Sequence, residues 1–308
     1  MLKDLKKLLP AAGRRLAANE PMAAHSTFRI GGPADIYFEP ADEDEIRAVA
    51  GYCRERDVTL TILGNGSNIL VADRGIRGVV LAIGEPMAGI RQQGDLVLAG
   101  AGTRLSALSG WAAQNGLAGM EFASGIPGTL GGAILMNAGA YDHCMADVIV
   151  MTEFLDEDLA VRAVVREEHR FTYRSSIFNE RCTIITRACL QLVPDDPQGI
   201  IARIVDLNQR RRASQPLEMP SAGSAFKRPQ GNFAGKLISD CGLKGCRIGE
   251  AEVSEKHAGF IVNRGTACAM DTRRLFAHVQ RVVLDQTGVK LEPEVRFVGE
   301  WQDWESGC

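Results

Sequence analysis

Between residues 42 and 56, apolar side chains recur at Ile46, Val49, Ala50 and Cys53, which is one face of a helix. Asp42 stands where a capping side chain belongs, and Glu45 follows three residues on. Short apolar runs at 36–39, 60–63, 69–71 and 78–83 predict strands around this helix, giving a small β-α-β-β unit. A second unit starts near residue 88. Its strand, 96–102, runs into glycine, and its helix, 105–115, stops at Gly116. Strand-like runs at 148–151, 160–165 and 182–190 then predict a β-meander, with 171–176 placing an arginine among strand residues. After a turn-rich stretch at 194–199, the pattern predicts helices over 200–212, 234–241 and 271–287 and strands over 260–262 and 295–298. Leucines at 2, 5, 8 and 9 fit a short amphipathic helix at the start. The sum is an α+β chain.

Composition sharpens this. A length of 308 residues exceeds one comfortable core, so more than one domain is expected. Of 33 glycines, 20 fall between Gly31 and Gly139 and none between 140 and 198. The first half therefore reads as loops built around something, and the middle as regular structure. A net charge of -3 argues against nucleic-acid binding. The uncharged run 122–141 is membrane-length but is broken by five glycines, a proline and an asparagine, so a buried loop is expected and no membrane insertion. The start carries no secretory pattern, and no two of the eight cysteines form a C-x-x-C pair, which fits reduced thiols in the cytoplasm. Cys241, Cys246 and His257 match no common zinc spacing, and no metal is expected.

Two glycine segments follow predicted strands. In Gly64-Asn65-Gly66-Ser67-Asn68, successive backbone N–H groups can turn into one concavity and hold a pyrophosphate; the plain alternative is a tight turn. The third glycine of the dinucleotide fingerprint is absent, and no Walker sequence occurs. The second segment, Gly125-Ile126-Pro127-Gly128-Thr129-Leu130-Gly131-Gly132-Ala133, can lie flat against a planar ring. Ser224 and Lys227 have the S-x-x-K spacing of penicillin-recognising enzymes, but K-T-G is absent. Arg174, His257, Glu294 and the run Arg210-Arg211-Arg212 each have an ordinary structural reading when taken alone.

Taken together the segments are specific. Residues 27–34 (TFRIGGPA), 64–68, 125–133, 136–141 (MNAGAY), 173–176 (YRSS), 223–229 (GSAFKRP), 234–238 (AGKLI), 254–263 (SEKHAGFIVN) and 291–299 (LEPEVRFVG) closely resemble the UDP-N-acetylenolpyruvoylglucosamine reductase family. The likeness is collinear from about residue 20 to 300 and is to the shorter subtype, which lacks an extra tyrosine-bearing loop.

The resemblance implies an α+β fold: a two-part FAD domain of the vanillyl-alcohol-oxidase-like (PCMH) type, then a smaller α+β substrate domain. The expected division is 1–20 as an N-terminal helix, 21–87 and 88–197 as the FAD subdomains, 198–303 as the substrate domain and 304–308 as a tail. It implies FAD as cofactor, NADPH as co-substrate, and reduction of UDP-N-acetylglucosamine-enolpyruvate to UDP-N-acetylmuramate by a monomer. By motif, Ser224 is the proton donor, and Arg174 and Glu294 steady the carboxylate-derived enolate. Asn65, Gly66, Ser67, Asn68, Gly125, Ile126, Pro127, Gly128, Gly132, Ala133 and Arg212 fall to the cofactor, and Tyr173, Lys227 and Arg228 to the substrate. The chain departs from the family pattern at Arg228, at Asp142-His143-Cys144 and at Ser239-Asp240-Cys241. Another flavin oxidase on the same fold accounts for the first half but not for Ser224 and Glu294. A non-catalytic nucleotide-binding protein would use the loops without turnover.

Overall fold

The computed structural model describes residues 1–180 and 183–301; the expected strand start at Cys182 and the tail 304–308 lie outside the described residues. The chain divides into two compact units. One takes residues 1–17, 37–65 and 79–211; the other takes 18–36, 66–78 and the chain from 212 onward.

In the first unit the opening helix covers Leu2–Leu8 and buries Leu5. It goes no further because Pro10 forces its predecessor out of the helical region, and Leu9 sits at φ -123°, ψ 66°. Within the segment expected as an N-terminal helix, Leu16–Pro21 is instead a strand. The helix Glu43–Glu55 forms as its pattern predicts: the Asp42 carboxylate accepts from Glu45 N at 2.8 Å, and Ile46, Val49, Ala50 and Cys53 are buried. Leu60–Leu63 pairs in parallel with residues 79–82. Ile69–Val71, expected beside them, does not join this pairing. Its partner is Arg296–Val298, parallel, in the second unit. All three of its residues are buried, so its apolar pattern would suit either partner.

The main sheet of the first unit is antiparallel, in the order Val161–Val165, Ile149–Leu155, Ile184–Gln191, Leu96–Gly100 and Ile90–Gln93. The expected meander is thus continued by the earlier 96–100 strand. Residues 172–175 are not a strand, as expected, but a tight turn: Thr172 and Ser175 exchange N–H···O bonds at 3.0 and 3.2 Å. The run Phe171-Thr172-Tyr173 has strand composition, but the left-handed backbone at Arg174, φ 56°, breaks the extension.

His169 anchors the approach to this turn. It is fully buried, with Nδ1 2.8 Å from Arg166 O and Nε2 2.8 Å from Thr152 Oγ1, and it stacks on Phe171 at 4.8 Å. Burial pushes its pKa below the ordinary 6.5. The unfolded chain then binds the proton more readily, so this contribution is present above about pH 6.5 and is lost as the pH falls through the window below it. The urea midpoint is expected to drop between about pH 7.5 and about pH 5.5, and to drop less in His169→Asn. Equal drops in the two proteins would remove His169 as a source.

The second unit holds an antiparallel sheet in the order Ser221–Ser224, Phe260–Asn263, Ala251–Val253 and Arg247–Ile248. The helices Ala234–Asp240 and Ala269–Thr287 complete one core with Phe28, Leu70, Phe226, Phe276 and Val279. The ring of Phe276 lies 5.2 Å from Phe226 and 5.3 Å from Phe297, which fixes the long helix over the sheet. That helix starts two residues before the expected point because the Asp73 carboxylate accepts from Ala269 N and Met270 N at 2.7 and 2.9 Å. Gly288, φ 71°, ends it. Among the described residues no helix is long and apolar enough to cross a membrane.

Candidate active site

The two glycine segments answer first to the protein itself. A Cβ on Gly64 would lie 2.3 Å from Thr129 Oγ1, so the first segment packs bare against the second. At Gly66, φ is 60° and a Cβ would meet His25 O at 2.0 Å, while Gly66 O accepts from Thr27 N at 3.2 Å. These contacts fix the loop and leave its donors over. Among the described residues, no protein acceptor takes the backbone N–H of Asn65, Gly66, Ser67 or Asn68. The same is true of Gly125, Gly128 and Thr129. Within each unit taken by itself, such preaimed N–H groups suit phosphate oxygens or the polar edge of a ring, which is the chemistry FAD asks of a protein.

Gly64→Ala tests this packing. It is expected to cost about 1–3 kcal/mol through overpacking, and to loosen FAD as well. Thermal unfolding with flavin-fluorescence titration measures both effects. Unchanged values in the two would show the contact to be slack.

The second segment is not wholly a loop. Leu130–Leu135 is a short helix, with Gly132 and Ala133 inside it, packed near the 184–191 and 96–100 strands. Beside Gly125 stand Asn208 and Arg211, whose Oδ1 and Cδ would lie 2.7 and 2.9 Å from a Cβ there. Burial lowers the pKa of Arg211. The resemblance implies Arg212 as a cofactor residue. The structure sets Arg211 on this segment, while Arg212 belongs to the other unit, where its carbonyl accepts from Lys256 Nζ at 2.7 Å. The three-residue spacing of Asn208 and Arg211 on one helix was the signal available in the sequence.

Arg174 occupies the tip of the 172–175 turn, with its guanidinium 5.1 Å from the centre of the exposed Tyr173 ring. Its Nη2 reaches Gly139 O at 3.5 Å. Gly139 and Ala140 pair with Cys144 and His143 across a two-residue turn in which Tyr141 and Asp142 both have positive φ, 54° and 62°. Aspartate is among the residues that tolerate the left-handed region, so Asp142 fits this turn. Asp147 then takes over the return strand, accepting from Cys144 N at 2.9 Å and lying 3.4 Å from His143 Nδ1.

In the second unit a backbone ladder joins segment 224–227 to 292–294. Glu294 N donates to Ala225 O at 2.9 Å, Lys227 N donates to Glu292 O at 2.8 Å, and Phe226 bridges Pro293. Ser224 therefore stands one register step from Glu294. Its hydroxyl has no hydrogen-bond partner among the described residues, and Gly223, φ 78°, turns the chain just before it. Asn68 joins the same network, its Nδ2 donating to Glu294 O at 3.1 Å and its carbonyl accepting from Arg296 N at 3.0 Å. Thr27 ties in the opposite side, donating from Oγ1 to Ser221 O at 2.7 Å. Lys227 Nζ lies 3.5 Å from Glu292, both side chains largely exposed. The Arg228 guanidinium sits 3.9 Å over the centre of the Phe233 ring, a cation–π contact. Behind Ser224, His257 Nδ1 accepts from Gly259 N at 3.1 Å, and Gly259 O accepts from Ala225 N at 2.8 Å. Burial holds His257 below its ordinary pKa.

Comparison with known proteins covers nearly all of the chain. Residues 34–162 match the family described as "FAD binding domain", and residues 215–298 match "UDP-N-acetylenolpyruvoylglucosamine reductase, C-terminal domain". A UDP-N-acetylenolpyruvoylglucosamine reductase of Caldanaerobacter subterraneus subsp. tengcongensis is 46% identical over 300 residues, covering 97% of this chain and 98% of the relative. One from Agathobacter rectalis is 46% identical over 312 residues, with 97% and 98% covered. The crystal structure of UDP-N-acetylenolpyruvylglucosamine reductase from Thermus caldophilus superposes with a TM-score of 0.79 at 34% identity, over 92% of this chain and 98% of that one.

Proposed function

Because the chain belongs to the UDP-N-acetylenolpyruvoylglucosamine reductase family, we propose that it reduces UDP-N-acetylglucosamine-enolpyruvate to UDP-N-acetylmuramate at the expense of NADPH. Its fold is the α+β arrangement of an FAD-binding domain and a reductase C-terminal domain. Bound FAD supplies the hydride chemistry, accepting from NADPH and giving to the vinyl end of the enolpyruvyl group.

The chain's own residues do the rest. The N–H groups of Asn65, Gly66, Ser67, Asn68, Gly125 and Gly128 hold the cofactor's phosphates and ring edge, with Ile126, Pro127, Gly132 and Ala133 shaping the second segment. Arg211 adds its charge beside Gly125. Hydride addition at the vinyl carbon pushes negative charge onto the neighbouring carboxylate. A cation at Arg174 binds that charge better than it binds the resting substrate. Glu294 steadies the same charge by donating the O–H of its protonated carboxyl or by orienting a donor. Ser224 Oγ–H then protonates the adjacent carbon; a hydroxyl suffices because the carbanion is strongly basic. Tyr173, Lys227 and Arg228 are assigned to the substrate, and Arg212 to the cofactor.

The observation that supports this reading best is the 224–227/292–294 ladder, a backbone pairing that brings the segment of Ser224 against the segment of Glu294. We assign 21–197 to the cofactor and 198–303 to the substrate. We place the reaction in the cytoplasm, carried out by a monomer, in the supply of peptidoglycan precursors and hence in cell shape and division.

The purified protein tests the reading. It is expected to be yellow, and to oxidise NADPH only when the enolpyruvyl sugar nucleotide is present. A protein that cannot take up FAD, or NADPH oxidation indifferent to the sugar nucleotide, sinks it; the second result favours a flavin oxidase.

A further inference from the structure

The turn that carries Arg174 is short, and its tip residue adopts a left-handed backbone without being glycine. Something must hold it. Asn137 is a buried amide, 7% exposed, itself at φ 42°, just past the end of the Leu130–Leu135 helix. Both ends of its side chain are used. Nδ2 donates to Thr172 O at 3.0 Å, and Oδ1 accepts from Ala146 N at 3.0 Å. The orientation is fixed by chemistry, because a carbonyl faces one end and an N–H the other.

One side chain thus joins the first residue of the Arg174 turn to the segment that follows the 139–144 hairpin. That hairpin offers the Gly139 carbonyl to the Arg174 guanidinium. Ser176 Oγ and Asn179 Nδ2 brace the far side of the turn, both donating to Leu135 O at 2.9 and 2.8 Å. An apolar residue of similar size could fill the space at 137, but it could not serve a carbonyl and an N–H at once as the amide does.

We propose that Asn137 is a positioning residue for Arg174: it fixes where the guanidinium stands relative to the charge that develops on the substrate carboxylate. The inference rests on the reading of Arg174 given above. It demands little movement to matter, since a misplacement of about 1 Å at a charge-stabilising group can cost on the order of 100-fold in rate.

Asn137→Asp is the test. It keeps the acceptor for Ala146 but sets an oxygen against Thr172 O. In the FAD-free protein, amide hydrogen exchange at 172–175 is expected to quicken while the 149–155 strand is unchanged. In the FAD-loaded protein, flavin reduction by NADPH is expected to stay within about twofold, and reoxidation by the sugar nucleotide to slow about 10- to 100-fold. In an Arg174→Ala background the same substitution is expected to slow reoxidation less than about twofold further, because the group it positions is gone. A full loss in that background, equal losses in both half-reactions, or a wild-type rate in the single variant overturns the proposal. A wild-type rate in Arg174→Ala alone overturns the reading of Arg174 instead. If Asn137→Asp does not fold, Ser176→Ala, which removes one of the two donors to Leu135 O, is held to the same criteria, with a smaller loss expected.

Discussion

Ser224→Ala is expected to leave flavin reduction by NADPH within about twofold while slowing flavin reoxidation by substrate about 10²- to 10⁴-fold, the usual worth of a placed general acid. The asymmetry is the point. Ser224 sits at the end of the Ser221–Ser224 strand, with its backbone paired to Phe260 and its hydroxyl without a partner among the described residues. Alanine keeps the backbone, the strand pairing and the left-handed turn at Gly223, and removes only the O–H. Stopped-flow absorbance separates the two half-reactions. Equal losses in both would show the residue to be structural and the donor assignment wrong.

The second large effect is at Arg174. Arg174→Ala is expected to slow reoxidation about 10²- to 10³-fold, in the range found when one charge-stabilising donor is removed. Arg174→Lys is expected to recover part of it, because a point charge remains while the planar fork is lost. Substrate affinity is expected to change far less than the rate, since the charge on the carboxylate grows only in the transition state. Rapid-reaction titration with the sugar nucleotide gives both quantities. If Arg174→Ala raised the substrate requirement and left the limiting rate alone, Arg174 would be a ground-state anchor.

What the sequence disclosed and what it hid follow from the range of each interaction. The helix Glu43–Glu55 was legible because its cap and its apolar face are local. So were the helix Leu105–Gln114, with Gly116 after it, and four of the five strands of the main sheet, all but Ile90–Gln93. The helix Ala269–Thr287 began earlier than its own pattern shows, because its capping carboxylate, Asp73, is 196 residues away. Ile69–Val71 looked like a third strand of the first unit because nothing local marks a partner at 296–298. At the site, motif resemblance supplied Ser224, Arg174 and Glu294, and the 225–294 backbone bond ties the segments that carry two of them. The sequence did not show that the glycines at 64 and 66 are demanded by Thr129 and by the His25 carbonyl. Nor did it show Arg211 beside Gly125 or the Asn137 bridge to Thr172, because both are contacts with segments distant along the chain.

The central claim is that this chain spends the electrons of NADPH on an enolpyruvyl double bond, with Ser224 completing the addition. The most direct measurement is single-turnover mixing of the NADPH-reduced, FAD-loaded protein with UDP-N-acetylglucosamine-enolpyruvate under anaerobic conditions. The account predicts full return of the oxidised flavin spectrum with one equivalent of UDP-N-acetylmuramate formed, deuterium from labelled NADPH at the former vinyl carbon and a solvent proton on its neighbour. A reduced flavin that stays reduced until oxygen is admitted, with no new sugar nucleotide, would contradict it.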